Sequence, residues 1–250
     1  MDLLQTKNMA QVDSVSALSS DQKLLVKDTN GKINALTPDG LKTELLGAMD
    51  IDKVMSGIFI MAHSGGTPQA YLCSEWTAKQ NSGMTADGVL IIEGGRHLVV
   101  APTGTTLPWS SAAVNGGGVM TTDRLTALND WEGKANTAAQ IEKEVCQGTS
   151  YAPGYCAAYA RTNSSGYGLT AGKWWLPSLG ELWMICAHRV RINYALSLIS
   201  GATQIGTGWH WSSTEFNSYY KWNLNMGDQS VNYYGCTYTG QVRPVSAFIS

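Results

Sequence analysis

Four histidines, five cysteines and a few carboxylates are the groups in this chain able to do acid–base, nucleophilic or metal chemistry. Their spacing decides whether they do. His63, His97, His188 and His210 are scattered, and neither His-Glu-x-x-His nor Gly-x-Ser-x-Gly occurs. His210, between Trp209 and Trp211 and close in sequence to Ser212 and Ser213, is the strongest candidate base. A base needs a partnered nucleophile, and the simpler reading of His210 is a strand histidine. Cys73, Cys146, Cys156, Cys186 and Cys236 form no Cys-x-x-Cys and no tight Cys/His spacing, as a structural zinc site would require. Their odd number argues against a complete disulfide framework and predicts free, mostly buried thiols. Calcium needs several converging oxygens, and the C-terminal region offers only Glu215 and Asp228 as carboxylates. Gly116-Gly117-Gly118 is not followed by Lys-Ser/Thr, so it is no phosphate loop. No cofactor and no metal are expected, and the chemistry indicated is contact, not catalysis.

The abundant residue types are those of a recognition surface. From Trp209 to the end of the chain only Glu215, Lys221, Asp228 and Arg243 are charged, and five of the eleven tyrosines fall between 219 and 238. Tyr offers large, stiff, amphipathic area at low entropic cost, while Ser, Asn and Gly offer adaptable hydrogen bonds, as in antibody paratopes. The whole chain has 44% hydrophobic and only 14% charged residues, against about 25% charged in an ordinary soluble domain. Its net charge of -2, with no long basic run, excludes an electrostatic nucleic-acid footprint. No stretch reaches the roughly 18 apolar residues of a membrane helix. Met1-Asp2-Leu3-Leu4-Gln5 has no basic region leading into an apolar core, so no signal peptide is expected.

These residues must be positioned by the elements around them. Length alone fits one large domain, or a moderate domain with a small appendage. The pattern favours the latter: a module over 1–50 and a ligand-binding domain over 51–250. In the module, 23–27 and 33–36 read as two strands around Asn30-Gly31, a strong hairpin turn. Thr37 caps and Pro38 opens a helix to about Leu46. A hairpin plus a helix is too small to be stable alone, so attachment to a larger assembly or homo-oligomerisation, with a trimer as candidate, is expected of it.

In the larger domain, 58–61 and 69–73 read as paired strands, and 89–92 with 97–101 as a hairpin around Gly94-Gly95. Residues 102–120 read as loop, and 122–130, 137–145 and 153–161 as short helices. Ser178 is an N-cap with Glu181 at the capping-box spacing, opening a helical stripe through Leu182, Ile185, Cys186 and Arg189. From Trp209 the pattern is β. Trp222, Leu224 and Met226 alternate with Asn223 and Asn225, Gly227-Asp228 turns the chain, 231–234 returns, and 241–248 forms a closing strand. On this phase Leu224 and Val231 point inward. Glu215 and Arg243 flank the polar run and are candidates to pair across it.

Taken as a set, Trp175-Leu176-Pro177-Ser178 with Glu181-Leu182, then Trp211-Ser212-Ser213-Thr214-Glu215, Trp222, and Val242-Arg243-Pro244-Val245 resemble the C-type-lectin-fold domain of the Fibrobacter-succinogenes-major-paralogous, or DUF1566, type. More narrowly they resemble its gut Bacteroidales phage version, whose C-terminus is diversified by a diversity-generating retroelement. The resemblance covers residues 173–248. It implies an α+β fold with two helices packed on a twisted antiparallel sheet, and variable residues on one exposed face within about 209–243.

The resemblance also implies mutagenesis at template adenines, commonly in AAC or AAT codons. These reach Asn, Asp, Tyr, Ser, Thr, Gly, Cys and Phe but not Trp, Lys, Met, Gln or Glu. Lys221, Trp222, Met226 and Gln229 are then framework, and Cys236 is a diversified position. The expected ligand-binding residues are Phe216, Asn217, Ser218, Tyr219, Tyr220, Asn223, Asn225, Asp228, Asn232, Tyr233, Tyr234, Thr237 and Tyr238. The implied function is non-enzymatic host-receptor binding from a virion tail or other extracellular setting. Its partner would be a bacterial cell-surface protein or glycan, with neither nucleic acid nor membrane. A bacterial adhesin of fixed ligand is the alternative. A formylglycine-generating oxidase would need a cysteine pair; Cys186 and Cys236 are the C-terminal cysteines, and nothing around them matches. The Glu-Pro-Asn signature of calcium-dependent sugar binders is absent, which favours metal-free recognition.

Overall fold

Two Gly-Gly turns set the first sheet. In the computed structural model, which describes residues 24–27, 33–36 and 56–248, Gly65 and Gly66 have φ of 57° and 87°, and Gly94 and Gly95 have φ of 57° and 75°. Two successive positive φ values match the tight hairpin turn whose twist suits the flanking strands. The first turn joins β3 (Gly57–Ser64) to β4 (Thr67–Tyr71), and the second joins β5 (Ala86–Glu93) to β6 (Arg96–Val100). The apolar run Val89-Leu90-Ile91-Ile92 is buried on both faces of β5, which explains why it does not alternate.

The chain divides into two units, Met1–Met55 and Ser56–Ser250. Within the first, β1 (Leu24–Lys27) and β2 (Ile33–Leu36) pair antiparallel, Leu24 opposite Leu36, as the Asn-Gly signal indicates. The helix expected from Thr37 and the polar leader before residue 20 lie outside the described residues.

The second unit is α+β. Its helices are α1 (Cys73–Asn81), α2 (Arg124–Leu128), α3 (Gly133–Gln140), α4 (Ala152–Ala158) and α5 (Leu179–Ser197). The remaining strands are β7 (Thr105–Pro108), the short pair β8 (Arg161–Thr162) and β9 (Gly168–Leu169), then β10 (Trp209–Glu215), β11 (Tyr220–Asn225), β12 (Val231–Gly235), β13 (Thr239–Val242) and β14 (Val245–Ser246). Instead of one antiparallel sheet under two helices there are two five-stranded sheets, ordered β14-β6-β5-β3-β4 and β12-β11-β10-β13-β7. The second contains a parallel pair, His210 opposite Gln241. No helix among the described residues is long and apolar enough to cross a membrane.

Helix α5 packs against both sheets. Ser178 accepts from the Glu181 amide at its N-terminus, and the Glu181 carboxylate accepts from the Ser178 amide at 2.8 Å, the reciprocal box read from the sequence. Leu179, Leu182, Ile185, Cys186, Ile192, Ala195 and Leu196 form its buried stripe, in one cluster with Ile60, Val89 and Ile91 from the first sheet and Trp222 and Leu224 from the second. Each fully buried Leu or Ile there contributes about 1.5–3 kcal/mol.

The expected closing strand over 241–248 is instead two strands in different sheets, separated by Arg243-Pro244. Proline has no N–H for a ladder, so pairing stops there and the chain changes sheets. Arg243 does not pair with Glu215. Its buried guanidinium donates to the carbonyls of Ala101, Thr203 and Gln204, each at 3.1 Å, and fastens the crossover. The expected loop over 102–120 contains the edge strand β7, and the helix expected over 137–145 is α3 followed by a short 3-10 turn (Glu144–Cys146).

Candidate functional site

Trp211-Ser212-Ser213-Thr214-Glu215 is buried throughout and held by hydrogen bonds on every side. The Ser212 hydroxyl donates to Trp222 O at 2.8 Å, and Trp109 Nε1 donates to Ser212 O at 2.9 Å. Gln140 Nε2 donates to Ser213 O at 2.6 Å. Thr214 donates to Asp130 at 2.7 Å and accepts from the Leu179 amide at 2.9 Å. The proposed base and nucleophile are not partnered: His210 Nδ1 donates to Gly208 O at 2.9 Å. Burial, then nearby Arg243 and Arg189, push the His210 pKa down to about 4 despite that bond. Strand β10 is thus a fixed rail.

The rail ends in a buried ion pair. Glu215 stands opposite Lys221 in the β10–β11 ladder, and both side chains are fully buried. Lys221 Nζ donates to Glu215, to Val114 O at 2.8 Å and to Asn217 O at 3.1 Å, and sits 4.4 Å above the Trp109 ring. The Gly116 amide donates to Glu215 at 3.0 Å. Below the display region, therefore, a charge-assisted network holds the turn that carries 216–219. In that turn Asn217 Oδ1 accepts from the amides of Tyr219 and Tyr220, at 2.9 and 2.7 Å.

The expected contact residues divide between the two faces of the second sheet. Tyr233 stands opposite Trp222, and Tyr234 opposite Lys221, so consecutive tyrosines project to opposite sides. Strand β12 is an edge strand, and both its faces reach solvent. The single display face implied by the resemblance is corrected to two back-to-back surfaces.

On the first face Phe216 stacks on Tyr233 at 3.9 Å between ring centres, with Tyr220 edge-on to Tyr233 at 5.4 Å and Tyr219 edge-on to Tyr220 at 4.9 Å. This aromatic patch is anchored on buried Trp222. Tyr219, Tyr220 and Tyr233 remain 38–39% exposed. Phe216 and Asn217 are half-buried and Ser218 is exposed.

On the second face lies a cavity of about 450 Å³ lined by Trp209, Trp211, Asn223, Tyr234, Tyr238 and Gly240, with Thr239 beside them. Trp209 and Tyr234 meet edge-to-face at 5.3 Å, and Trp211 Nε1 is tied to Leu107 O at 3.0 Å. Gly240 is required here: a Cβ would come within 2.8 Å of the Trp211 ring nitrogen. Asn223 was expected to be an exposed contact residue and is corrected: it is 2% exposed. The alternation placed it correctly away from Trp222 and Leu224, but Trp211 stands directly opposite and the aromatic walls cover it. Its Oδ1 is buried and has no hydrogen-bond partner among the described residues, a state costing about 1–3 kcal/mol.

The remaining expected residues lie around these surfaces. Asn232 and Thr237 are exposed, and Asn225 and Asp228 form the β11–β12 turn, where Asn225 Oδ1 accepts from the Gly227 amide and Asp228 from the Ser230 amide. That bond holds the Asp228 carboxyl below its ordinary range. The two carboxylates considered for calcium are thus engaged separately, Glu215 with Lys221 and Asp228 with Ser230. Cys236 is corrected as well: it is fully buried in a core with Trp109, Cys146 and Trp211, not displayed. All five cysteines carry free thiols, and burial pushes Cys146 up to about 12. Trp209, Trp211 and Gly240, which are not among the expected contact residues, line this pocket. The interleaving of Trp with the Asn/Tyr pattern was the available signal.

No protein-family model and no curated protein matches the chain. Among solved structures it is similar to a fimbrial protein from Bacteroides ovatus, at 15% identity and a TM-score of 0.45, over 90% of this chain and 48% of that one. The chain therefore spans about half the length of that protein.

Proposed function

We propose that the chain is a non-enzymatic receptor-binding protein whose C-terminal domain, of C-type-lectin-like type, presents the surface around β11 and β12 to a ligand on a bacterial cell. The observation that carries this reading is the aromatic patch of Tyr219, Tyr220 and Tyr233 on one face, with Tyr234 and Tyr238 on the other, each 37–63% exposed, on strands and turns fixed by the network beneath them. Large exposed aromatic patches mark interaction surfaces, and a rigid backing lowers the ordering cost of binding. The resemblance supports a phage tail setting outside the cell, with diversified contact positions. The module over residues 1–50 would serve attachment or homo-oligomerisation.

The test is binding of the labelled full chain to a panel of intact gut Bacteroidales strains. Tyr220→Ala/Tyr233→Ala is expected to weaken binding by roughly 30-fold or more, as loss of about 2 kcal/mol at an aromatic hot spot implies. Its far-UV circular dichroism should stay that of the parent. Undiminished binding by that variant would overturn the surface assignment. Sequencing the neighbouring DNA separates the two biological settings. A near-identical repeat differing only at template adenines, beside a reverse transcriptase and tail genes, is expected; a lone gene without such a repeat would point to an adhesin of fixed ligand.

A further inference from the structure

The strands that end the two large sheets are β14, β4, β12 and β7, and three of them are guarded. Strand β4 carries Pro68, β7 ends in Pro108, and β14 is only two residues long. Proline and shortness are common defences against an added strand. Strand β12, Val231-Asn232-Tyr233-Tyr234-Gly235, has no proline, no charge and no bulge against β11. Its hairpin with β11 is bonded at both ends, from the Asn225 amide to Ser230 O and from the Cys236 amide to Tyr219 O, each at 2.9 Å. Bonded and unbonded pairs alternate along an antiparallel ladder. Asn232 and Tyr234 therefore turn their backbone groups toward β11, while Val231 and Tyr233 turn theirs outward. Among the described residues the outward N–H and carbonyl of Val231 and the carbonyl of Tyr233 have no partner. The Tyr233 N–H donates to Asn232 Oδ1 at 2.9 Å, an acceptor standing where an incoming strand's carbonyl would lie. Asn232, Tyr233 and Tyr234 are exposed and Val231 is half-buried, so this edge is within reach. It closes at Gly235, whose carbonyl accepts from the Tyr238 amide at 3.0 Å.

We infer that β12 takes up an extended, uncharged segment of a bacterial surface protein by strand addition, through the backbone groups that Val231 and Tyr233 turn outward. The inference rests on the receptor-binding reading above and narrows its ligand to a protein. A second extended backbone repeats its donors and acceptors every two residues, about 6.8 Å, which is the repeat from Val231 to Tyr233; a glycan has no such repeat. Side chains of an added strand alternate between faces. Those on one side would pack beside Tyr233 and its neighbours Phe216 and Trp222. Those on the other would pack beside Tyr234 and Trp209. A ligand lying flat on either face meets only half of these rings, whereas a strand at the edge meets both. Main-chain bonds then supply affinity and the flanking aromatics supply selectivity. The β12 of a second copy is a poorer occupant, because both copies would have to release the Asn232 bond where a free peptide costs only one.

The probes are linear nine-residue peptides selected from a random library on the immobilised full chain. At least one is expected to bind, and N-methylation along it should abolish binding at every second position, as bonding along one edge requires. Val231→Pro removes an outward N–H and leaves the β11 ladder intact, a place where an edge strand tolerates proline. It should weaken the peptide at least about tenfold more than Val231→Ala, which keeps the N–H. Amide hydrogen exchange followed by NMR should show the peptide protecting Val231 and Tyr233. No selected peptide, N-methyl sensitivity without the two-residue period, or equal affinity in Val231→Pro and Val231→Ala would overturn the inference. So would a loss of oligomeric state in Val231→Pro, seen by sedimentation, since that marks pairing between copies. On intact cells, proteinase K treatment should abolish binding of the chain and periodate should spare it. Binding lost to periodate alone, and still dependent on Tyr220 and Tyr233, would overturn the peptide and leave the receptor-binding reading standing with a glycan ligand.

Discussion

Replacing Lys221 by methionine is expected to cost the fold about 3–5 kcal/mol, the penalty for stranding one charge of a buried pair. Lys221 and Glu215 are both fully buried, and without the ammonium the Glu215 carboxylate keeps, among the described residues, only the bond from the Gly116 amide. The carbonyls of Val114 and Asn217 lose a donor at the same time. Guanidinium denaturation at pH 7 measures this directly. Lys221→Met/Glu215→Leu should recover a large part of the loss, because an apolar pair of similar volume escapes the desolvation cost. If the double variant were less stable than Lys221→Met alone, the stranded-charge account would be wrong. The functional consequence follows from Asn217: its carbonyl is held by Lys221, and its side chain organises the amides of Tyr219 and Tyr220. Lys221→Met should therefore loosen the aromatic patch before the rest of the sheet.

The second large effect is on pH dependence. Burial pushes the Glu181 carboxyl up to about 7 from its ordinary 4.5, with Asp130 adding to the rise, while bonds from Ser178 and Trp175 oppose it. Between those two values the folded chain holds a proton that the unfolded chain has released. The slope of stability with pH follows the protons bound in the unfolded state minus those bound in the folded state, so it is negative here. The contribution is fully present below about pH 4.5 and is lost as pH rises through about 7. At 1.36 kcal/mol per pH unit, the loss between pH 5 and pH 8 is about 2–3 kcal/mol.

His210 acts with the opposite sign. Its folded value of about 4 lies below its ordinary 6.5, so its contribution is lost as pH falls through that window. Glu181→Gln isolates the carboxyl. Because the His210 gain offsets the Glu181 loss in the parent, denaturation curves from pH 5 to pH 8 should show the variant rising relative to the parent by about 2–3 kcal/mol, whatever their baselines. Parallel curves would mean that Glu181 is already ionised in the folded chain.

Much of the local structure was legible because it depends on local chemistry. Ser178 and Glu181 announce a helix start by a bond between neighbours, and the Gly94-Gly95 turn has a backbone preference of its own. The β11–β12 hairpin follows from the alternation of Trp222, Leu224 and Met226 around Gly227-Asp228. Elements with weak local signals were missed. Helix α1 is polar with one fully buried residue, Trp76, so it has no stripe to read. Strand β7 is an edge strand ending at Pro108, whose ladder partner among the described strands is β13 alone.

The candidate site divides in the same way. By itself the sequence determined that the C-terminal region is rich in tyrosine and asparagine, poor in charge, set between tryptophan-bearing framework segments, and without a catalytic spacing. It also determined the phase of each side chain along its strand, since alternation is a property of one strand alone. Only the tertiary structure decided what each phase faces. It paired Glu215 with Lys221 across a hairpin and sent Arg243 to three backbone carbonyls. It buried Cys236 and sent Tyr233 and Tyr234 to opposite sides of an edge strand. It also enclosed Asn223 beneath Trp209, Trp211 and Tyr234, because burial depends on which distant segments close over a strand, and no local pattern records those.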